Sequence, residues 1–192
     1  MEHIVLIGGG GHCKSTIDVI EKEGRFIIAG IVDKKELLGS SVLGYPVIGK
    51  DSDLEGLAKK YKYGLVTAGQ IKSAELRIKL FYLATEAGFE IPSIVSPMAY
   101  VSKHASIGRG NIVMHHALIN ANVIINDNCI INSKALIEHD TVIESHCHIS
   151  TYAAINGNVR VERGSFIGSR ATTKESIIIP QNSFIKSGSL VK

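Results

Sequence analysis

The chemistry-bearing side chains of this chain crowd into one short stretch. In Ile137-Glu138-His139-Asp140 a histidine is followed directly by a carboxylate, and Glu144, His146 and His148 come soon after. A histidine beside a carboxylate can be held in one tautomer and serve as a general base that strips a proton from an amine or an alcohol. The second candidate lies near the N-terminus. The apolar run His3 to Ile7 ends in Gly8, Gly9, Gly10 and Gly11, and His12 to Glu23 then carries a helical pattern through Ile17, Val19 and Ile20. A glycine turn that opens a helix offers backbone N–H groups and a positive dipole end to one anionic group. A second apolar run, Phe26 to Val32, closes on Asp33, where a carboxylate can accept from a ribose hydroxyl. Counting from Gly8, the third glycine of a G-x-G-x-x-G fingerprint is replaced by Cys13. That favours a nucleotide or nucleotide-sugar phosphate over a dinucleotide.

Two kinds of framework must position these groups. A strand, crossover helix and second strand over residues 3–32, a strand over Tyr63 to Ala68, a helix over Ser73 to Ala87 and an extended return over Phe89 to Val95 predict a small Rossmann-like α/β domain at 1–97. From Val101 onward the pattern changes to an aliphatic residue at every sixth position. Fourteen of fifteen such slots from Val101 to Ile185 hold Val or Ile, and only Thr173 departs. A helix repeats at 3.6 and a plain strand at 2, so a period of six predicts short stacked strands separated by turns, an all-β solenoid over 98–192. Four residues after each aliphatic comes a mostly small residue, among them Ala105, Ala117, Cys129, Ala135, Cys147, Ala153 and Ala171, as the tight corners of a narrow prism require.

Composition sets the outer bounds. A chain of 192 residues with 45% hydrophobic content can hold two small domains. Its net charge is +3, with the basic residues scattered, which predicts no nucleic-acid surface. No apolar stretch approaches the roughly 18 residues of a membrane span and no basic segment precedes an apolar leader, so no membrane span and a cytoplasmic location are expected. Cys13, Cys129 and Cys147 are odd in number and form no C-x-x-C pair, and they read as reduced packing residues.

The succession IGGGGH, IVD, GYPVIG, VSKHASIG, INSKALIEHD and HISTYAAINGNV resembles the hexapeptide-repeat sugar O- and N-acetyltransferases, over nearly the whole chain. The family includes sialic acid O-acetyltransferases and enzymes that N-acetylate UDP-4-amino-4,6-dideoxy sugars. The resemblance implies a left-handed parallel β-helix of three hexads per coil, acetyl-CoA as co-substrate, no metal, and a homotrimer whose active sites lie between solenoids. Fifteen hexads then make five coils. It implies His139 as the base and Asp140 as its orienting partner, where many members have Glu. His148 would lie beside the thioester, with Ser169 and Ser187 on the cofactor. Gly10, Gly11, His12, Asp33, Lys34 and Gly69 would form the sugar-nucleotide pocket. With eighteen residues per coil, Gly157 lies above His139 at one strand spacing, about 4.8 Å, where its N–H can approach the oxyanion and the cofactor. The expected reaction is N-acetylation of the amino group of a nucleotide-linked amino-deoxy sugar for bacterial glycan biosynthesis. The alternative is O-acetylation of sialic acid or a related nonulosonic acid, and the nucleotide-binding character of the N-terminal domain favours the former. A γ-class carbonic anhydrase shares the solenoid and holds zinc on three histidines, but the third position is Glu144 here, so no metal is expected.

Overall fold

The computed structural model describes Met1 to Lys192 as two compact units, Met1–Gly69 with Glu75–Pro92, and Gln70–Ala74 with Ser93–Lys192. The first unit contains β1 (Glu2–Ile7), α1 (Gly11–Glu23), β2 (Phe26–Val32), β3 (Ser41–Val42), β4 (Tyr45–Gly49), α2 (Leu54–Lys60), β5 (Tyr63–Val66) and α3 (Glu75–Glu86). Its sheet runs β3-β4-β2-β1-β5, parallel except for the β3–β4 hairpin. Ile4 to Ile7 are all buried, the continuous apolar run of a central parallel strand covered on both faces. The chain steps outward from β1 through β2 to β4 and then returns to β5 on the other side of β1, so the strand order reverses between β1 and β5. Ligand crevices of open α/β sheets form at the carboxyl ends of such strands. There Gly8 has φ +103°, and a Cβ on it would meet the Ala68 nitrogen at 2.8 Å, so glycine alone lets the two loops close up.

The second unit is a parallel β-helix of seventeen two-residue strands, from Ile94–Val95 to Leu190–Val191, in three flat sheets. Partners are eighteen residues apart, as in Leu118↔Leu136 and Ile119↔Ile137. The first face carries Tyr100, Leu118, Leu136, Ala154, Thr172 and Leu190 outward; the second begins at Ser106–Ile107; the third begins at Ile94–Val95. The coils start one hexad ahead of Val101 and continue to Val191, one hexad beyond the last slot read from the sequence. The inward Val and Ile from Val113 to Ile167 are fully buried with the small corner residues, and each contributes about 1.5–3 kcal/mol. Thr173, the exception in the period, is buried and keeps its hydroxyl satisfied by accepting from the Asn156 N–H at 2.9 Å. Cys13, Cys129 and Cys147 are free and buried. Burial pushes the Cys13 thiol up to about 11. No helix is long and apolar enough to cross a membrane.

Three corners join the faces, and from Gly110 onward each turn places one residue in the left-handed region, near φ +60°. We call the corner between first and second faces the first corner, that between second and third the second, and that between third and first the third.

Candidate active site

His139 and Asp140 occupy the first corner, in the turn after Leu136–Ile137. Asp140 takes the left-handed position at φ +61°, a conformation that Asp and Asn tolerate better than most residues. Asn122 and Asn158 take the same position one coil to either side. This twist carries the Asp140 side chain back beside its neighbour, so that His139 Nδ1 lies 2.7 Å from Asp140 Oδ2. A carboxylate oxygen accepts, so Nδ1 carries the hydrogen and Nε2 is left as the acceptor. Asp140 Oδ1 in turn accepts from Asn122 Nδ2 at 2.7 Å. The hydrogen bonds from Asn122 and then His139 hold the Asp140 carboxyl below the usual carboxylate range. Both side chains face solvent, at 61% and 49% exposure, as a group that must meet a substrate requires.

The coil above supplies Gly157. Asn158 N–H donates to the His139 carbonyl at 2.9 Å, and a Cβ at position 157 would stand 2.8 Å from both Cε1 and Nε2 of the imidazole. Only glycine lets the ring lie there. The arrangement is an exposed imidazole with a free Nε2, a fixed carboxylate behind it and unencumbered backbone above it. It can take up a proton while the carboxylate stabilises the imidazolium that forms.

The histidines read as a second cluster are placed elsewhere. Glu144 at the second corner is engaged by Arg160 Nη1 at 2.5 Å and by the Arg163 N–H at 3.1 Å. His146 is buried with Nδ1 at 2.9 Å from Asn128 Nδ2. His148 projects from the third face and is buried at 6% exposure. Its Nδ1 donates to the Gln70 carbonyl at 2.5 Å, its Nε2 lies 3.2 Å from Asn132 Nδ2, and its ring stands edge-on to Phe166. Gln70 Nε2 donates to the His146 carbonyl at 2.9 Å, so the segment Gln70–Ala74 is tied to this side of the solenoid. His148 and His139 are therefore not brought together. Ser169 and Ser187 both stand on the third corner, where Ser169 Oγ lies 2.9 Å from Ser150 Oγ.

The first unit holds a cavity of about 510 Å³ at the strand carboxyl ends, between Gly8, Val32, Asp33, Lys34, Ala68 and Leu80. Asp33 organises its rim. Its Oδ2 accepts from the Gly9 N–H at 2.6 Å and its Oδ1 from the Lys34 N–H at 2.7 Å. Fully buried Arg77 on α3 donates from Nη1 to the Val66 and Ala68 carbonyls, both at 2.8 Å, and fixes the opposite wall. Of the residues expected here, Asp33 and Lys34 line the cavity. Gly10 and Gly11 face open space, and Gly69 packs against His12. Lys50, Asp51 and Ser52 after β4, and Leu76 on α3, also line it. They come from separate elements with no common motif. Asn122 did have a signal in the sequence, its spacing of eighteen from Asp140. No group of His, Cys, Asp and Glu side chains is arranged to hold a metal ion.

Comparison with known proteins places this geometry in context. The PglD N-terminal domain family matches residues 3–81. The acetyltransferase domain of PglB from Neisseria gonorrhoeae is 29% identical, with a TM-score of 0.92 over 100% of this chain and 92% of that one. The same domain solved with acetyl coenzyme A superposes with a TM-score of 0.90 at 28% identity, covering 99% and 92% of the two chains. A histidine-to-alanine variant of GDP-perosamine N-acetyltransferase from Caulobacter crescentus, bound to CoA and GDP-perosamine, is 30% identical, with a TM-score of 0.71 over 99% of this chain and 93% of that one. No curated protein matches in sequence.

Proposed function

We propose, from the premise that this chain belongs to the hexapeptide-repeat sugar acetyltransferases, that it transfers the acetyl group of acetyl-CoA to the amino group of a nucleotide-linked amino sugar. The observation that carries the reading is the His139–Asp140 pair, open to solvent under Gly157, on a solenoid like that of proteins solved with acetyl-CoA and with GDP-perosamine. The nucleotide is held by the cavity of the first unit, where Lys34 and Lys50 favour phosphate and Asp33, fixed by the Gly9 and Lys34 amides, is placed to accept from a ribose hydroxyl. Gly10, Gly11, His12 and Gly69 belong to the approach to that pocket.

In the reaction the neutral amine attacks the thioester carbonyl, and its proton passes to His139 Nε2. Asp140 stabilises the resulting imidazolium. The tetrahedral oxyanion forms beside the Gly157 N–H, then collapses with loss of the CoA thiolate, which takes a proton back from His139. His148, Ser169 and Ser187 are assigned to the cofactor side, His148 as a buried strut beneath it. Relatives with one histidine replaced by alanine or asparagine still hold CoA and GDP-perosamine, which supports a division between binding and proton transfer.

The assembly is proposed as a homotrimer with the cofactor in the groove between two solenoids. The support is the apolar side chains left outward on the first and second faces, with Tyr100, Ile124, Ile178 and Leu190 all more than two-fifths exposed. Light scattering is expected to give three times the 20.7 kDa of one chain. A cytoplasmic site of action fits three buried free thiols. The test of the reaction is release of free CoA, followed with a thiol reagent, on mixing the protein with acetyl-CoA and UDP- or GDP-linked amino sugars. Mass spectrometry is expected to place the acetyl group on nitrogen. Faster acetylation of a free nonulosonic acid than of every nucleotide-linked amino sugar would overturn the assignment.

A further inference from the structure

Six acidic side chains stand on the solenoid, and five of them are held in place. Asp127, Glu138, Asp140, Glu144 and Glu162 each accept a hydrogen bond from an adjacent coil, at 2.5–3.0 Å. Glu175 is the sixth. It is exposed, and no donor or cation engages its carboxylate, the ion pairs of the molecule being elsewhere. An ionised group that contributes nothing to the fold, on the corner that carries His139, is free to serve the reaction.

Its position relative to the imidazole gives it something to do. The Ser176 N–H donates to the Gly157 carbonyl at 2.9 Å, and Asn158 Nδ2 donates to Ser176 Oγ at 3.2 Å. Glu175 therefore stands above Gly157, one strand spacing or about 4.8 Å away. The His139 ring leans toward the same place, since its Cε1 and Nε2 both lie 2.8 Å from where a Gly157 Cβ would be. The proton-accepting nitrogen is thus level with the coil of Gly157, and the glycine puts no side chain between it and Glu175. With two methylenes of reach, the Glu175 carboxylate meets a group held about 3 Å from Nε2, the distance of a proton donor.

We infer that Glu175 accepts one N–H of the acceptor amine while His139 takes the other hydrogen, and that Glu175 thereby selects an amino sugar over a sugar with a hydroxyl at the same carbon. The inference rests on the acetyl-CoA-dependent reading above and names the group that decides between nitrogen and oxygen. As the amine nitrogen bonds to the thioester carbon, one hydrogen passes to His139 Nε2; the C–S bond then breaks and the thiolate takes that proton. The second hydrogen stays on nitrogen and becomes the N–H of the amide product, donated to Glu175 throughout. Glu175 itself neither gains nor loses a proton. A hydroxyl has only one hydrogen. Giving it to His139 turns oxygen lone pairs toward an ionised carboxylate that is left without a donor, and a site whose polar groups lose their partners rejects such an analogue strongly.

Because Glu175 is exposed and bonded to nothing, Glu175→Gln and Glu175→Ala are expected to keep Tm and the affinities for CoA, UDP and GDP. The probes are a nucleotide-linked 4-amino-4,6-dideoxy sugar and its counterpart with a 4-hydroxyl. With the amino sugar, kcat/KM should fall about tenfold in each variant, the scale of one charge-assisted hydrogen bond. The hydroxyl counterpart, followed as an inhibitor against the amino sugar, should bind more tightly to Glu175→Gln, whose amide N–H can donate to the hydroxyl oxygen. The preference for amine over hydroxyl should then drop by about 10² in that variant. Wild-type kcat/KM for the amino sugar in both variants overturns the inference. An equal loss with both sugars also overturns it, since Glu175 would then serve the site without choosing its acceptor. A wild-type protein that acetylates no nucleotide-linked amino sugar overturns the acetyl-transfer reading itself, and the inference with it.

Discussion

His139 and His148 lie on one coil of the solenoid, and their surroundings are opposite. His139 stands at a corner in solvent, with an ionised carboxylate on Nδ1 and nothing on Nε2. His148 is buried on a flat face, with a carbonyl on Nδ1 and an amide on Nε2. An imidazole does proton chemistry when one nitrogen is free and its cation has a stabilising neighbour. With both nitrogens engaged by neutral groups it is a strut whose loss is felt in stability. The same residue type thus performs two jobs, and the partners on its nitrogens decide which.

The sharpest way to break this contrast is to remove each ring in turn. His139→Ala is expected to lower kcat by about 10² to 10⁴-fold, the usual worth of a general base, with Tm nearly unchanged because the side chain packs against nothing but its own corner. His148→Ala is expected to show the reverse pattern. It leaves the Gln70 carbonyl without its donor and a hole beside Phe166, a cost of about 2–4 kcal/mol, read as a fall in Tm. A His148 variant with intact Tm and His139-like loss of turnover would exchange the two roles.

Gly157→Ala probes the same contrast from the coil above, with a smaller effect. The new methyl would stand 2.8 Å from the imidazole, and the ring is exposed enough to swing away. Folding should therefore survive while the ring leaves its carboxylate, and misplacement of about 1 Å costs on the order of 10² in rate. The expected outcome is a kcat lower by about 10- to 100-fold at constant Tm. The same change at Gly8, where the obstacle is the Ala68 backbone and φ is +103°, should instead be read in stability.

These differences mark how far sequence carries. The period of six made the coils legible because every inward slot faces the same dry interior, and even the exception at Thr173 kept its place by finding a hydrogen-bond partner. The strand–glycine–helix opening was legible for a similar reason, since Gly8 answers to a local backbone need. His139-Asp140 was legible as a pair because adjacent residues need no fold to meet. His148 was not separable from it, since the carbonyl that occupies its Nδ1 comes from Gln70, far away in the chain. The cavity walls at Lys50–Ser52 and Leu76 were hidden for the same cause. The solenoid begins at Ile94–Val95, ahead of residue 98 where the sequence pattern put it, because one strand's worth of aliphatics carries no period.

The smallest predicted effects concern the groups behind His139. Asp140→Ala removes orientation and the stabilising charge but leaves the imidazole, so it is expected to cost about tenfold in kcat. Asn122 lies one step further back. Its Nδ2 donates to the Asp140 oxygen that His139 does not use, and this bond is the largest single cause of the depressed Asp140 pKa. A carboxylate whose folded pKa is depressed lends its stabilising charge fully above the ordinary value of 3.8 and loses it only as pH falls through the lower folded value. Asn122→Ala should therefore move the Asp140 midpoint upward toward 3.8, seen by NMR titration of its carboxyl carbon, while at pH 7 the group stays ionised in both proteins. Turnover at pH 7 should fall by roughly two- to threefold, the scale of one exposed hydrogen bond, and Asn122→Asp, which sets a like charge against Asp140, should fall further. An unchanged carboxyl midpoint in Asn122→Ala would mean that Asp140 is held by His139 alone, and the corner would then be a pair and not a relay of three.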